Sequence, residues 1–304
     1  MASVCFPVSK PQLRSEFQLK SILLPTDFSD ASNRAAQLAR GLASRFGSKL
    51  FLVHAVWQKQ YEWDEALYHI GCNEEFAERR SQEFLASHQL EALPHEIIVM
   101  PGSPSEVVQA IAAEKDVDLI VLGTNGLRWP AKLLFGTYSE QIYRNAHCSV
   151  LTVGPRVGPM KCRGSIQNIL CAVDTESEPT ANALHSAITM ARSCDAYLTV
   201  ACILPQRGAH GEELYRREEE KRAEILRLLE FEPALPHPPE VIVGTGHISE
   251  EIIKVAVGCG ADLIVKGIRP PEPHPTKGHT YPISVNAHCP VLTVGNKVQA
   301  PRNR

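Results

Sequence analysis

The sequence predicts an α/β protein built as two tandem copies of one small domain, each a parallel sheet with helices on both faces. Three observations predict it. The chain repeats itself at long range. Short apolar runs alternate with amphipathic stretches at the spacing of βαβ units. The apolar runs are continuous rather than alternating, which marks strands buried on both faces.

The repeat is legible residue by residue. Positions 21–27 read Ser-Ile-Leu-Leu-Pro-Thr-Asp and 168–174 read Asn-Ile-Leu-Cys-Ala-Val-Asp. Val117-Asp118-Leu119-Ile120-Val121-Leu122-Gly123 matches Ala261-Asp262-Leu263-Ile264-Val265-Lys266-Gly267. Asn145-Ala146-His147-Cys148 and the run to Gly154 match Asn286-Ala287-His288-Cys289 and the run to Gly295. The offset falls from 147 at Asp27/Asp174 to 144 at Gly123/Gly267 and 141 at Cys148/Cys289, so the second copy has lost about six residues. Three of those are missing between the glycine and the cysteine. The domains are expected at 19–155 and 165–296, with Gly158 to Gly164 as the linker.

In the first copy, residues 21–25 are the first strand. Asp30 is placed to cap a helix to about residue 46, with Ala35, Leu38, Ala39 and Leu42 on one face and Gly47 as its stop. Leu50 to Val56 is the second strand, followed by a long amphipathic helix over roughly 64–90. Glu96 to Met100 is the third strand, and Ser103 can cap the helix carrying Val107, Val108, Ile111 and Ala112. Leu119 to Leu122 is the fourth strand, a helix lies near 137–146, and Val150 to Val153 is the fifth strand. The second copy repeats the order, with strands near 168–173, 196–203, 240–243, 262–266 and 290–294. The charge-dense stretch Glu212 to Arg222 reads as a solvated helix face.

Composition excludes several function classes. The 304 residues are 44% hydrophobic and 21% charged, an ordinary globular balance. Thirty-one basic against 34 acidic residues leave a net charge of −3, so no large field attracts nucleic acid. No apolar run reaches the roughly 20 residues of a membrane helix, and the N-terminal stretch has no signal-peptide core, so a cytoplasmic protein is expected. None of the nine cysteines forms a Cys-x-x-Cys pair, and several sit in apolar runs, so they read as small buried hydrophobes in a reducing compartment. Burial is the expectation for both Cys148 and Cys289, which begin equivalent strands.

The chemistry concentrates after the fourth strand. There the chain reads Gly123-Thr124-Asn125-Gly126, nine residues, then Gly136-Thr137-Tyr138-Ser139. Glycines at 123 and 126 allow φ > 0 and close approach of a ligand to the backbone. Gly136-Thr137 opens a helix, whose free N–H groups and dipole favour an anion, and the hydroxyls of Thr137 and Ser139 add donors. On the glycines alone, a plain strand end and helix start is an equally good reading. No Gly-Lys-Ser/Thr P-loop occurs, and no Gly-x-Gly-x-x-Gly follows the first strand, which argues against a classical dehydrogenase. Asp27, after the first strand, reads as a ligand contact rather than a helix cap, because Ser29 and Asp30 are better placed to cap.

The spacing Gly-x2-Gly-x9-Gly-Ser/Thr between a strand and a helix resembles the ATP-binding pattern of the universal stress protein family. The opening Pro25-Thr26-Asp27-Phe28-Ser29 and the closing run from His147 to Val153 are similar to that family's too, and the likeness covers both copies. The resemblance implies two Rossmann-like domains of the adenine nucleotide alpha hydrolase-like kind, each five-stranded with order 3-2-1-4-5. It implies ATP, often with Mg²⁺ or Mn²⁺, held by three groups of residues. Pro25, Thr26 and Asp27 stand at the adenosine, and the backbone of Val53 stands at the base. Gly123, Thr124, Asn125, Gly126, Arg128, Gly136, Thr137, Tyr138 and Ser139 stand at the phosphates. Asn125 replaces the usual histidine or arginine, and Trp129-Pro130 is unusual in the loop, while Arg128 and Lys132 supply cations. The resemblance also implies pairing through the fifth strand. In a tandem chain the two copies can pair with each other, and a homodimer can form beyond that.

The second copy departs further. Gly267 is followed by a shortened loop rich in proline, with no glycine at the fourth position, so ATP is expected to bind there weakly or not at all, although Asp174 is kept. His274, His279 and His288 could suggest a metal, but a surface Pro/His loop beside a packed histidine is the better reading, and no metal site is expected. The function expected is a nucleotide-dependent regulatory or stress-response protein with an unknown protein partner and little or no catalysis. An interaction scaffold without nucleotide and an ATP-using enzyme with slow hydrolysis are the alternatives.

Overall fold

The structure, a computed structural model, describes residues 18–56, 74–124, 142, 146–158, 166–174, 179–205, 211–230, 232, 234–267 and 280–294. Ten strands form one sheet. In chain order they are β1 (Ser21–Pro25), β2 (Lys49–Val56), β3 (His95–Pro101), β4 (Leu119–Gly123), β5 (Ser149–Val153), β6 (Asn168–Val173), β7 (Tyr197–Pro205), β8 (Glu240–Gly246), β9 (Leu263–Gly267) and β10 (Val291–Val294). The spatial order is β3-β2-β1-β4-β5-β10-β9-β6-β7-β8. Each half is parallel with the order 3-2-1-4-5. The halves join where β5 and β10 pair antiparallel, with Leu151 opposite Leu292.

Seven helices among the described residues cover the faces: α1 (Asp30–Phe46), α2 (Glu74–Ser87), α3 (Pro104–Glu114), α4 (Pro179–Cys194), α5 (Glu212–Glu230), α6 (Ile248–Gly258) and α7 (Thr280–Asn286). Ile142 also lies in a helix, and the Ala146 N–H donates to its carbonyl at 2.8 Å. The remainder of the helix expected near 137–146 and of the stretch expected over 64–90 lies outside the described residues, apart from α2 and its exit.

The two faces of the sheet differ. On one, α1 and α4 bury a core that runs without a break from one half into the other, including Leu24, Ala39, Leu42, Val153, Ala187, Ile188 and Leu292. On the other, two separate cores form, one under α3 with Phe51, Val108, Ile111 and Ile142, the other under α6 and α7 with Ile252, Ala256, Ile283 and Val291. β1 explains its continuous apolar run, since Ile22 and Leu24 face the shared core while Leu23 faces the α3 side, all three fully buried. Both halves therefore have to fold for the shared core to be dry.

Helix ends correct the sequence expectations. Ser29, not Asp30, is the N-cap of α1, its hydroxyl accepting from the Ser32 N–H at 3.4 Å. Gly47 ends that helix in the left-handed region at φ 68, as a residue without Cβ does most readily. Ser103 occupies the N-cap position of α3, but its hydroxyl donates to the Glu106 carboxylate at 2.8 Å instead of capping the backbone. In α5 only Ile225 is fully buried, and its ion pairs, such as Arg217 with Glu213 at 2.7 Å, decorate a solvated face. Cys289 is buried, whereas Cys148 is only partly so. No helix among the described residues is long and apolar enough to cross a membrane.

The aspartate repeated at Asp118 and Asp262 has a structural task. Asp118 Oδ2 accepts from the N–H groups of Lys20 (2.8 Å) and Ser21 (3.0 Å) and from the Ser21 hydroxyl (3.1 Å). Asp262 Oδ2 accepts from the N–H groups of Gln167 (2.9 Å) and Asn168 (3.0 Å). Each carboxylate thus clamps the start of its half's first strand, at the end of the sheet opposite the candidate site.

Candidate functional site

Ligands in open α/β sheets bind beyond the C-terminal strand ends, where the strand order reverses. In the first half that point lies between β1, which pairs with β2 on one side, and β4 on the other. Pro25, Thr26 and Asp27 leave β1 there, and Gly123 and Thr124 leave β4 beside them.

Pro25 lies in register with Val53 of β2. The Thr26 N–H donates to the Val53 carbonyl at 2.9 Å, so that carbonyl keeps one lone pair for a ligand. The Thr26 hydroxyl accepts from the Phe28 N–H at 3.0 Å, and the Thr26 carbonyl pairs with His54 Nδ1 at 2.8 Å. Phe28 adopts φ 61, a strained conformation for a bulky residue. That turn sets its ring centroid 4.6 Å from His54 and 5.8 Å from Phe84, with the Arg80 guanidinium 5.3 Å over it. Burial pushes the His54 imidazole below its ordinary pKa, against the opposing pull of the Thr26 carbonyl and the Asp27 charge.

Asp27 is an exposed residue whose carboxylate turns back onto the start of α1. Its Oδ1 accepts from the Ser29 N–H at 3.0 Å and from the Ser32 hydroxyl at 2.6 Å, and its own N–H donates to the Ser32 oxygen at 3.2 Å. Partial burial pushes the carboxyl up, but the hydrogen bonds from Ser29 and Ser32 together outweigh it and hold the pKa below the usual carboxylate range. Both bonds fall on Oδ1. Asp27 therefore supports the helix start while Ser29 does the capping, and the sequence had separated those tasks more sharply than the structure does.

Gly123 is small for a reason the sequence reading missed. Its φ is not in the left-handed region, and a Cβ there would lie 2.0 Å from the Ala31 carbonyl oxygen in the first turn of α1. The glycine lets that helix dock backbone to backbone on the end of β4. Thr124 is buried, with its N–H donating to the Val153 carbonyl at 2.9 Å. Its own carbonyl accepts from Arg34 Nη2 at 3.2 Å. Arg34 was not singled out from the sequence. The available signal was a cation beside the alanine-rich stripe of α1, but nothing local says where it reaches. Asn125, Gly126, Arg128, Gly136, Thr137, Tyr138 and Ser139 lie outside the described residues.

The second half keeps the frame and changes the side chains. The Thr180 hydroxyl takes the place of Ser32, accepting from the Asp174 N–H at 3.0 Å, but it donates to the Asp174 carbonyl rather than to the carboxylate. Counting along the helix from that threonine, Asn182 stands where Arg34 stands. Lys266 of β9 replaces Leu122, and burial pushes its amine down to about 8. The loop that follows, 268–279, lies outside the described residues.

Comparison with known proteins converges on one family. The sequence pattern of the universal stress protein family matches residues 18–154 and again 165–295. A universal stress protein of Thermus aquaticus is 34% identical over 137 residues, 44% of this chain and 98% of that one. One from Methanocaldococcus jannaschii is 30% identical over 138 residues, 44% of this chain and 81% of that one. The fold is similar to the crystal structure of a universal stress protein from Archaeoglobus fulgidus, with TM-score 0.68 and 18% identity over 92% of this chain and 97% of that one. It is also similar to a functionally unknown protein of Pseudomonas aeruginosa, with TM-score 0.57 and 17% identity over 91% and 92% of the two chains.

Proposed function

The chain belongs to the universal stress protein family, and on that premise we propose that its first half binds an adenine nucleotide, ATP foremost, as a regulatory element with little or no catalysis. The observation that carries this reading is the juxtaposition of Asp27 with the start of the glycine loop, Gly123-Thr124, at the reversal of strand order. Asp27 Oδ2 is left to accept ribose hydroxyls, since Oδ1 is committed to Ser29 and Ser32. Pro25 and Thr26 flank it, and the remaining lone pair of the Val53 carbonyl meets the base amine. The loop from Gly123 through Ser139 receives the phosphates, with Arg128 as a cation within it. The buried Arg34 Nε, which has no hydrogen-bond partner among the described residues, is a further donor near the start of that loop and suits an anion.

Among the described residues no group of three or more His, Cys, Asp or Glu side chains could hold a metal ion. Mg²⁺ or Mn²⁺ would enter with the nucleotide's phosphates. Asp27 and the loop bind and orient.

Thermal unfolding with and without excess Mg-ATP tests the reading, on the wild type and on Gly126→Val. Ligand at a hundred times its dissociation constant adds about 2.7 kcal/mol of stability. A rise in Tm that disappears in the variant supports nucleotide binding through the loop. No rise in the wild type sinks it and leaves the interaction-scaffold reading.

A further inference from the structure

The first turn of α1 touches both ends of the candidate site. At one end, the Ser32 hydroxyl donates to Asp27 Oδ1 at 2.6 Å and accepts from the Asp27 N–H at 3.2 Å, gripping that residue by side chain and backbone together. At the other end, the Ala31 carbonyl abuts Gly123, and Arg34 Nη2 holds the Thr124 carbonyl at 3.2 Å. Ser32 and Arg34 are two positions apart on the helix, and their partners are 97 positions apart in the chain. A rigid turn therefore sets the distance between Asp27 and the point where the loop leaves β4.

Arg34 carries more than a fastening. Only a third of its guanidinium's nitrogens has a protein partner among the described residues, and Nε is buried with none. A buried donor left unpaired is costly, and an anion bound beside Thr124 would offset that cost. The second half supplies an internal comparison. It keeps a hydroxyl at the Ser32 position, as Thr180, but has Asn182 at the Arg34 position, and it is the half whose loop lacks the second glycine.

We propose that Ser32 and Arg34 are positioning residues of the first half's ligand site, Ser32 fixing Asp27 for the nucleoside and Arg34 fixing Thr124, where the chain leaves β4, for the phosphates. The proposal rests on the nucleotide reading above, and it assigns separate parts of the ligand to two side chains outside the glycine pattern.

The test is a pair of titrations, adenosine and Mg-ATP, by calorimetry on the full chain. Arg34→Asn, which installs the second half's residue, is expected to weaken Mg-ATP about tenfold while leaving adenosine within about twofold. Arg34→Lys should recover part of the loss. Ser32→Ala is expected to weaken both ligands by the same factor, about fivefold, and Ser32→Thr to restore them. A variant that merely loosens the fold would lower Tm and weaken both ligands together in the arginine series, and that result overturns the assignment of Arg34. Equal binding by Ser32→Ala and the wild type overturns the assignment of Ser32. Hydrogen exchange of the nucleotide-free protein separates this proposal from the reading beneath it. The Thr124 amide, bonded to Val153, should exchange at least about tenfold faster in Arg34→Asn. If the wild type binds no ATP but exchange accelerates, the nucleotide reading fails and the fastening by Arg34 stands. If exchange is unchanged, the fastening fails whatever binds.

Discussion

Asp118→Ala removes the clamp at the start of β1, and the structure sets its cost. Three donors converge on one carboxylate oxygen: the Lys20 N–H at 2.8 Å, the Ser21 N–H at 3.0 Å and the Ser21 hydroxyl at 3.1 Å. They are not equal. The Lys20 N–H is exposed and regains water, so its loss is small. The Ser21 hydroxyl keeps the Asp116 carbonyl, 3.3 Å away, as a second acceptor. The Ser21 N–H belongs to a residue only 8% exposed and has no substitute. A hydrogen bond to a charged acceptor contributes about 1.5–3 kcal/mol, and an orphaned buried donor costs about 1–3 kcal/mol. The expected loss is therefore about 3 kcal/mol in Asp118→Ala and about half that in Asp118→Asn, which keeps an acceptor but not the charge. Urea unfolding followed by circular dichroism reads it as a fall in midpoint at constant slope. Because one core crosses both halves, the midpoint should fall for the whole chain in a single transition. A loss under about 0.5 kcal/mol, the level of an ordinary surface substitution, would refute the clamp. An Asn variant as unstable as the Ala variant would show that charge, not shape, is what counts.

Two titrating groups give further expectations. Lys266 has a folded pKa of about 8 against an ordinary 10.5, so its protonation favours the unfolded chain; the penalty is absent above the ordinary value, grows as pH falls through it, and is complete below about 8. Lys266→Met, of similar length and uncharged, should flatten the rise in stability toward alkaline pH, measured by urea midpoints across that range. Asp27 shifts the other way. Its folded pKa lies below 3.8, so its contribution is present above that value and lost as pH falls through the folded one. In Asp27→Asn the acid limb of stability should therefore begin from a lower plateau and be shallower, with wild type and variant converging at the acid end.

The candidate site was legible to the depth that short-range pattern reaches. The glycine spacing and Pro25-Thr26-Asp27 pointed to one ligand region, and strand register does bring Asp27 and Gly123 to neighbouring strand ends. What those residues touch was not legible. Gly123 looked like a backbone freed for a ligand, but its missing Cβ makes room for Ala31. Asp118 was legible only as a position repeated at Asp262, and it holds the far end of β1.

The sequence by itself determined the two copies, the alternation of strand and helix, and nearly all of the strand positions. Period and repeat are fixed by sterics and burial within a few residues, and those are written in order along the chain. Pairing of the two copies through their fifth strands was implied by the family resemblance; tertiary structure alone decided that β5 and β10 run antiparallel with Leu151 opposite Leu292, that one core would span both halves, and that Arg34 would reach Thr124. Those contacts join residues about 90 to 140 positions apart. They exist only after the crossover helices dock, and docking depends on the summed shape of two surfaces rather than on any local run of residues.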